Sequence, residues 1–466
     1  MPSSFSQGVI TPVFKKPSLD VTLPASYRPL TLASTLVKVL ELVTLPKLET
    51  SDTQFGFKSN LGCDVSISTF TDVLMIARAK ATPLYVCLLD AEKCFDRLWH
   101  DGIFYKLHSK LPFGVWKFQC LLYRSLNAVV KVKDSKSGPF AVTRGTRQGG
   151  CSSPLYFNVF INDLLHQLSN CDAGFRFGSI KLNNIAYADD LTLLSTTGRG
   201  LQKLLDICEC YARKWRFSYN ASKSQFIIFS NNKRTLNTHS SMSLGGSVIP
   251  QLQEVELLGC AFSFSHNGSA SLNAQRRSEK CRKAFFKHKN QGLSFPRLDP
   301  HCKAYIWRTA CQPVLLYCLS ALNYTKRDIE TLNGVQTRFV KTFMGLPNNC
   351  RHSKLLTALH ITSVHFVLTD TLCSLFNRIL CLPSRSVATS VLMYAVQCFM
   401  GDGYVHNGTL IDRILKLQIS PLRALYGPPR ELAPPDGTVD SITNVLNMNL
   451  CKNSYEQQLL FLLCRF

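Results

Sequence analysis

The chain has 466 residues, of which 45% are apolar, and carries a formal net charge of +23. That length is enough for about two to four domains, and the apolar content excludes a largely disordered chain. The excess of Lys and Arg favours a polyanionic partner such as nucleic acid, because cations that neutralise phosphates release counterions. A generally basic surface is the alternative.

The 19 cysteines are not spaced in regular pairs and include no C-x-x-C, which argues against a zinc ribbon or a secreted disulfide framework. The first residues lack the apolar core of a signal peptide. The longest uncharged stretches, 309–325 and 386–401, fall short of the ~20 apolar residues that a membrane span needs. We therefore expect an intracellular protein, in the nucleus, the cytoplasm or both, that is not secreted, binds no membrane and has no disulfide-linked partner.

Short apolar runs alternate with helical patterns over residues 1–230, as in a layered α/β or α+β domain. The run LYVCLL (84–89) predicts a buried strand that leads directly into Asp90. Residues 153–168 predict a core helix, and the apolar stripe of 201–215 predicts an amphipathic helix. A further strand is expected in SQFIIFS (224–230), and the chain is mostly helical from about residue 270 onward.

Two adjacent carboxylates, Asp189 and Asp190, interrupt the apolar stretch IAYADDLTLLS (185–195). Burying unpaired charge costs several kcal/mol, so the presence of two carboxylates in an apolar stretch needs an explanation. We expect a strand–turn–strand with residues 188–190 as the turn, because both side chains can then reach one cavity. Together with Asp90 they would hold two divalent cations at one sheet edge. A capping pair or a surface turn is the alternative.

Three segments, in this order, resemble the motifs of reverse transcriptases: LLDAEKCFDRLWH (88–100), GTRQGGCSSPLYFNVFINDL (145–164) and YADD (187–190). The finer pattern is similar to that of non-LTR, LINE-like retrotransposon polymerases and extends over residues 10–360. Residues 10–41 and 54–63 resemble their finger segments, and 312–317 and 332–347 resemble the thumb and the segment after it. Since the resemblance begins inside the fingers, it predicts an N-terminally truncated copy.

The resemblance implies an α+β fold of the right-hand polymerase class, with a palm and fingers core of sheet and helices. The expected regions are partial fingers and palm at 1–262, a helical thumb-like region at 263–345 and a helical C-terminal region of unassigned role at 346–466.

The implied activity is that of an RNA-directed DNA polymerase that extends a primer with dNTPs by a two-metal mechanism. It would use two Mg²⁺ ions, or Mn²⁺ in their place, with an RNA template and a DNA primer or target as partners. The main alternative is a catalytically impaired, truncated remnant that only binds nucleic acid. An intron maturase would normally add a splicing domain, and an RNA-dependent RNA polymerase more often has Gly before the Asp pair.

The resemblance also implies roles in catalysis. Asp90 and Asp189 are the expected metal ligands, with Asp190 in support. Lys223 lies where the family has a proposed general acid toward pyrophosphate, although a lysine in a turn is often only solvated. Phe95 lies where the family has an aromatic gate against the ribose 2′-hydroxyl, with an ordinary core phenylalanine as the alternative. The residues expected to bind the nucleotide, its triphosphate or the template are Arg28, Gln148 and Gly149.

Two further segments are expected to contact nucleic acid. Leu258-Gly259 resembles the primer-grip hairpin, where glycine permits a close backbone approach. Independently of any family, RRSEKCRKAFFKHK (276–289) predicts a helix with a basic face that would follow a phosphate backbone. A solvated helix face is the main alternative, and binding to a membrane surface is a minor one. The basic face consists of Arg276, Lys280, Lys283 and Lys287.

Overall fold

The computed structural model describes residues 3–416, apart from 16–18, 47, 148, 233–240, 265–267, 294, 403–406 and 415. Its strands are β1 (Gln7–Phe14), β2 (Tyr27–Leu32), β3 (Leu84–Leu89), β4 (Asn127–Val132), β5 (Ser135–Lys136), β6 (Phe140–Ala141), β7 (Phe175–Phe177), β8 (Ile180–Leu182), β9 (Asn184–Tyr187), β10 (Asp190–Ser195), β11 (Gln225–Phe229), β12 (Met242–Leu244), β13 (Ser247–Ile249), β14 (Glu254–Leu257) and β15 (Cys260–Ser263).

The helices follow the same chain order and predominate after β15. They are α1 (Ser3–Ser6), α2 (Thr35–Thr44), α3 (Cys63–Ala79), α4 (Cys94–Arg97), α5 (His100–His108), α6 (Phe113–Arg124), α7 (Ser153–Asn170), α8 (Gly198–Lys214), α9 (Gly268–His288), α10 (Pro300–Ile306), α11 (Gln312–Leu315), α12 (Lys326–Met344), α13 (Ser353–Ala358), α14 (Val364–Leu380) and α15 (Val387–Asp402). Short 3₁₀ or π segments occupy Pro24–Ser26, Lys289–Leu293, Trp307–Cys311 and Leu319–Ala321.

A four-stranded antiparallel sheet, ordered β11-β3-β10-β9, forms the centre of the fold. Its two faces pack into different cores. In β3, Leu84 and Val86 pack with α3, α14 and α15, whereas Cys87 and Leu89 pack with α5, α7 and α8. Because side chains alternate across a strand, burial on both faces explains why the whole run 84–89 is apolar.

A five-stranded sheet near the N-terminus contains β2, β1, β4 and β5 in that order, with β6 also paired to β4. β1 runs antiparallel to β2 and parallel to β4. Its β2 strand carries Arg28, one of the residues expected to bind the nucleotide. This sheet therefore forms one wall of the site described below.

A third hydrophobic core joins the helices of the thumb-like region. Phe285 of α9 stacks on Phe339 of α12 with ring centroids 4.4 Å apart, and Trp307 packs beside them. The α12 helix begins at a capping box of Thr325 and Asp328, in which each side chain satisfies a free backbone N–H. This core is separate from the two cores of the central sheet.

The described part of the predicted C-terminal region packs back onto α3. Helices α14 and α15 and residues 410–414 contribute side chains to the same core as one face of the central sheet. Arg413 and Asp72 form a buried ion pair there, and Asp72 also accepts a hydrogen bond from the N–H of Leu410. The described residues of 364–402 and 407–414 thus support the central sheet directly.

The predicted elements are confirmed where apolar periodicity was strong: the strand at 84–89, the core helix, the amphipathic helix and the strand at 225–229. The mixture of sheets and helices confirms the predicted α+β class. Among the described helices, none has both the length and the apolar character needed to cross a membrane.

Candidate active site

Three carboxylates lie at the same end of the central sheet. The antiparallel register of β3 and β10 places Asp90, which follows β3, opposite Asp190, the first residue of β10. Asp189 precedes Asp190 in the turn that joins β9 to β10. The sequence therefore brings these side chains together from two strands 99 residues apart (189 − 90).

The turn differs from the expectation in one respect. Tyr187 pairs with Asp190, so the turn contains only Ala188 and Asp189. Asp189 lines a cavity of about 950 Å³, whereas Asp90 and Asp190 line another of about 180 Å³. Asp189 and Asp190 thus border different cavities, because Asp190 already belongs to a strand and neighbouring side chains diverge.

The carboxylates disfavour one another's charge. Burial raises the pKa of Asp190 to about 6, and the nearby Asp189 and Asp90 add to that rise. Burial also raises the pKa of Asp189, while a hydrogen bond from the Cys94 thiol opposes the shift. Within the described ranges, none of the three carboxylates forms an ion pair. A bound cation would remove this repulsion.

The chemistry of these oxygen donors fits a hard divalent cation such as Mg²⁺. Their present geometry does not form a complete ligand set. Among the residues that the structure describes, no group of three or more His, Cys, Asp or Glu side chains lies close enough together to hold a metal ion. The fit is therefore one of charge and donor type, and the described side chains do not form the expected two-ion centre.

The smaller cavity brings together several of the predicted residues. Lys223 is exposed and lines it together with Asp90 and Asp190. Extending the pairing of β11 with β3 by two residues places Lys223 opposite Asp90. Leu258 lines the same cavity from the hairpin of β14 and β15. Charged groups of both signs thus face the expected primer-binding turn.

The larger cavity has the size of a small-molecule site and is lined by Asp189, Phe95 and Arg28. Phe95 stacks on Phe157 of α7, with ring centroids 4.5 Å apart. Phe57 meets the Phe95 ring edge-on at 6.3 Å. Arg28 is exposed on β2. The ring of Phe95 is therefore held by two aromatic neighbours while part of it borders the cavity.

A buried ion pair anchors Arg147, shortly before α7. Arg147 pairs with Glu41 of α2, and both side chains are buried. Glu41 also accepts hydrogen bonds from the N–H groups of Cys151 (3.0 Å) and Ser152 (3.3 Å). Glu41 thus joins α2 to Arg147 and to the residues at the start of α7.

The two nucleotide-binding predictions that follow Arg147 have different outcomes. Gln148 lies outside the described residues. Gly149 has a φ of +102°, and a Cβ atom there would lie 2.9 Å from the carbonyl oxygen of Thr31. Its glycine is therefore required by its close packing on β2, whether or not a ligand also binds there.

The Leu258-Gly259 turn is held by side chains from the thumb-like region. Both residues have positive φ, +48° at Leu258 and +79° at Gly259. The Tyr317 hydroxyl donates a hydrogen bond to the Leu258 carbonyl at 2.9 Å, and the Arg277 guanidinium donates to the Gly259 carbonyl. Arg277 also lies over the Tyr317 ring, 4.3 Å from its centroid. Both carbonyl oxygens of the turn thus already accept a hydrogen bond from a side chain.

Lys280, Lys283 and Lys287 are exposed on α9, as the basic-face pattern predicts. Within the described ranges, none of these three lysines forms an ion pair. Arg276 is half-buried and pairs with Glu254 of β14. The structure therefore brings three of the four predicted cations to solvent and uses the fourth to tie α9 to the hairpin.

Several residues around the site were not singled out from the sequence. They include the Cys94 thiol beside Asp189, Glu41, and the pair Tyr317 and Arg277. Gln54, whose amide contacts Ala188, is another. QFGFK and QPVLLY marked the segments that contain Gln54 and Tyr317. Nothing in these two short segments indicates which distant residue each side chain contacts.

The antiparallel sheet carries carboxylates at one edge, between a nucleotide-sized cavity and a hairpin that faces the same edge, which is the arrangement expected of the palm of a nucleotide polymerase. Residues 14–262 match the family model described as reverse transcriptase (RNA-dependent DNA polymerase). The chain belongs to this family, and the predicted resemblance is confirmed.

The curated relatives are polymerases of mobile elements. The RNA-directed DNA polymerase from mobile element jockey of Drosophila funebris is 25% identical over 347 residues, which cover 71% of this chain and 37% of the relative. The Pol polyprotein of the type-2 retrotransposable element R2DM of Drosophila melanogaster is 26% identical over 346 residues, or 72% of this chain and 32% of the relative. The chain thus spans less than two fifths of either relative.

Among solved structures, telomerase from Candida tropicalis aligns with 97% of this chain and 65% of its own, at 13% identity and a TM-score of 0.42. With so low an identity and TM-score, this similarity gives no information about the function of the chain.

Proposed function

We propose that the chain is an RNA-directed DNA polymerase of a non-LTR retrotransposon, which extends a primer with dNTPs on an RNA template in the nucleus or the cytoplasm. The observation that carries the proposal is the placement of Asp90, Asp189 and Asp190 at one edge of the central sheet. Membership of the reverse transcriptase family supports the same conclusion. In this proposal, residues 1–262 form the palm and part of the fingers, 263–345 the thumb, and 346–466 a C-terminal region.

The proposed cofactor is Mg²⁺, or Mn²⁺ in its place, held by Asp90 and Asp189 with support from Asp190. When bound, the cations would supply positive charge near the primer 3′-hydroxyl and the leaving pyrophosphate. Lys223 lines the cavity of Asp90 and Asp190, where its ammonium group would donate a proton to the leaving pyrophosphate.

The larger cavity is the proposed dNTP site. Arg28 has no ion-pair partner among the described residues, so its guanidinium is available to a triphosphate. The template contacts expected of Gln148 and Gly149 belong to the same site. Phe95 would exclude a ribose 2′-hydroxyl, because its stacking on Phe157 and its edge contact with Phe57 leave the ring little room to retreat.

The decisive experiment is primer extension on an RNA template with Mg²⁺ and dNTPs. Asp189→Asn should lower the rate at least about a thousandfold, since it removes a charged cation ligand at the reacting centre. Asp172→Asn is the matched control, because its side chain is fully exposed. Equal signals from the wild-type chain and Asp189→Asn would refute the proposal. In the same assay, Phe95→Ala should admit NTPs, and unchanged rejection of NTPs would refute the gate.

A second candidate function is nucleic-acid binding without catalysis. It is favoured by one observation, that the described carboxylates do not form a complete metal-ligand set. Under this alternative the chain binds an RNA–DNA duplex but gives no extension above the Asp189→Asn background. The extension assay therefore separates the two candidates.

The basic face of α9 should contribute to binding under either candidate. Replacing Lys280, Lys283 and Lys287 with Ala should reduce the slope of log K against log salt by about 2–3, because three phosphate contacts are lost. The triple Lys→Arg variant keeps the charges and should keep the slope. A slope that is unchanged in the Ala variant would show that this face is only solvated.

A further inference from the structure

The turn that carries Asp189 is contacted by the side chain of a glutamine 134 residues away from Ala188 in the chain. We propose that Gln54 is a positioning residue, which fixes the Ala188-Asp189 turn and thereby the direction of the catalytic carboxylates. This inference rests on the proposed polymerase function for its effect on the reaction rate. Its effect on the turn can be measured without any reaction.

Both ends of the Gln54 amide contact the turn. Its Oε1 atom accepts hydrogen bonds from the N–H of Ala188 at 2.9 Å and from the N–H of Gly56 at 2.8 Å. Its Nε2 atom donates to the carbonyl oxygen of Ala188 at 3.3 Å. Gln54 has no exposed surface. One buried amide thus satisfies both backbone polar groups of the residue that precedes Asp189.

The turn requires such support for two reasons. Ala188 has a φ of +55°, in the left-handed region where a side chain is strained and glycine is preferred. Ala188 is also only 5% exposed, so water does not replace a lost partner of its N–H and C=O. Without the Gln54 amide, relaxation of this residue would move Asp189 and Asp190 with it.

Gln54 is itself held in place by contacts of its segment with β9 and α7. Residues 53–55 run parallel to β9 and pair with Ala186 through two backbone hydrogen bonds of 2.8 and 2.7 Å. The carbonyl of Gly56 accepts a hydrogen bond from Asn158 of α7 at 2.9 Å. The Gln54 amide is therefore presented to the turn by a strand and a helix, which gives it the rigidity that positioning requires.

Gly56 explains how Gln54 comes so close. A Cβ atom at Gly56 would lie 2.4 Å from the Ala188 nitrogen, a distance that no side chain can adopt. The backbone of residue 56 thus packs directly on the turn, and the neighbouring Gln54 amide reaches Ala188. The contact with Ala188 therefore explains why residue 56 is glycine and residue 54 is glutamine, whereas local secondary structure does not require either residue type.

The test compares Gln54→Met with a matched variant, Gln336→Met. Methionine keeps the length and apolar volume but removes the amide. Gln336 is also fully buried, and its amide donates to the Thr362 carbonyl at 2.9 Å and accepts from Gln312 at 3.1 Å, neither of which belongs to the turn. Both variants therefore lose a buried, hydrogen-bonded amide, so a general loss of stability affects them alike.

Two measurements separate positioning from stability. Hydrogen exchange of the Ala188 and Gly56 amides should accelerate about tenfold or more in Gln54→Met and stay unchanged in Gln336→Met. The single-turnover rate of nucleotide addition at saturating dNTP should fall about 10–100-fold in Gln54→Met alone. The dissociation constant for primer–template should stay within about twofold, because the binding surfaces are untouched.

The outcomes distinguish the two proposals. If the wild-type chain adds no nucleotides, the proposed function fails, and accelerated exchange at Ala188 still supports the contact of Gln54 with the turn. Unchanged exchange, or accelerated exchange with a wild-type rate of nucleotide addition, would overturn the positioning role. If Gln54→Met does not fold, Gln54→Glu replaces it. That variant keeps the oxygen acceptor and loses the donor to Ala188, so a wild-type rate would contradict the proposal.

Discussion

Two hairpin turns lie next to residues that line the smaller cavity, Asp190 beside the first turn and Leu258 within the second, and the two turns are held in different ways. In both turns the first residue is not glycine yet has positive φ, +55° at Ala188 and +48° at Leu258. The Ala188 turn is held by Gln54, a neutral amide on a segment that pairs with β9. The Leu258 turn is held by Tyr317 and a guanidinium from the thumb-like region.

Because their supports differ, one turn can move without the other. The carboxylate-bearing turn depends only on segments that belong to the central sheet and its packing helices. The Leu258-Gly259 turn depends on the placement of Arg277, which lies on the same helix as the basic face, and of Tyr317. Movement of the thumb-like region would therefore shift the proposed primer contact while leaving the carboxylates in place.

Among the changes that test this comparison, the largest effect is expected from Gly56→Ala, which should disturb only the first turn. Because its Cβ would lie 2.4 Å from the Ala188 nitrogen, the backbone must separate and the carboxylates must shift. We expect the single-turnover rate of nucleotide addition to fall about 100-fold, as is usual when reacting groups are misplaced by about 1 Å. Primer–template affinity should stay within about twofold of wild type.

Gly334→Ala is the matched control for that prediction. Gly334 lies inside α12, and nothing lies within 4 Å of a Cβ atom built there. Its replacement should leave the rate unchanged and stabilise the helix by about 0.5–1 kcal/mol. A wild-type rate in Gly56→Ala would mean that the first turn does not depend on close packing against residue 56.

The next largest effect is expected from Tyr317→Phe, which should disturb only the second turn. Loss of the hydroxyl leaves the Leu258 carbonyl without its 2.9 Å hydrogen bond. We expect primer–template to bind about 3–10-fold more weakly, the range that corresponds to one net hydrogen bond. The rate at saturating primer–template should not change, as single-turnover kinetics would establish.

Tyr305→Phe provides the control, because Tyr305 is 62% exposed on α10 of the same region. It should bind primer–template like the wild type. If Tyr317→Phe reduced the saturating rate as strongly as Gly56→Ala, the two turns would not be mechanically separate and the comparison would fail.

Local elements and the identity of the carboxylates could be predicted from the sequence. The strand at 84–89 and the helix at 153–170 follow from uninterrupted apolar runs, which constrain only neighbouring residues. Asp90 and Asp189 were predicted from motifs that keep their order and spacing along the chain. Their location at one sheet edge follows from the strand pairing.

The supports of both turns could not be predicted in this way. Gln54 contacts a residue 134 positions away, and Tyr317 contacts one 59 positions away. Such contacts are set by the packing of whole layers, which leaves no periodic trace in the sequence. The same holds for Arg147, whose loop was expected to border a ligand but whose side chain pairs with the buried Glu41.

The two turns also differ in charge, and the smallest expected effect tests that difference. The second turn has a cation, Arg277, on its backbone, whereas Asp189 in the first turn and the adjoining Asp190 form no ion pair within the described ranges. The pKa of Asp190 is raised to about 6 from the ordinary 3.8. The folded protein therefore binds this proton more tightly than the unfolded chain does, and stability falls as the pH rises from about 4 to about 6.

Asp190→Asn should remove that part of the pH dependence. Without divalent cations, the variant should match the wild type near pH 4 and exceed it above pH 6. We expect a difference of about 1 kcal/mol, reduced from the full effect because Asp190 keeps solvent access. Urea unfolding in EDTA at pH 4.5 and 7.5 measures this difference, and Asp172→Asn, at an exposed position, should show none.

Addition of Mg²⁺ at pH 7.5 should stabilise the wild type more than Asp190→Asn, because only in the wild type does the cation remove the unfavourable repulsion of the Asp190 charge. Equal stabilisation of both chains by Mg²⁺ would show that Asp190 takes no part in holding the cation, leaving Asp90 and Asp189 as the ligands.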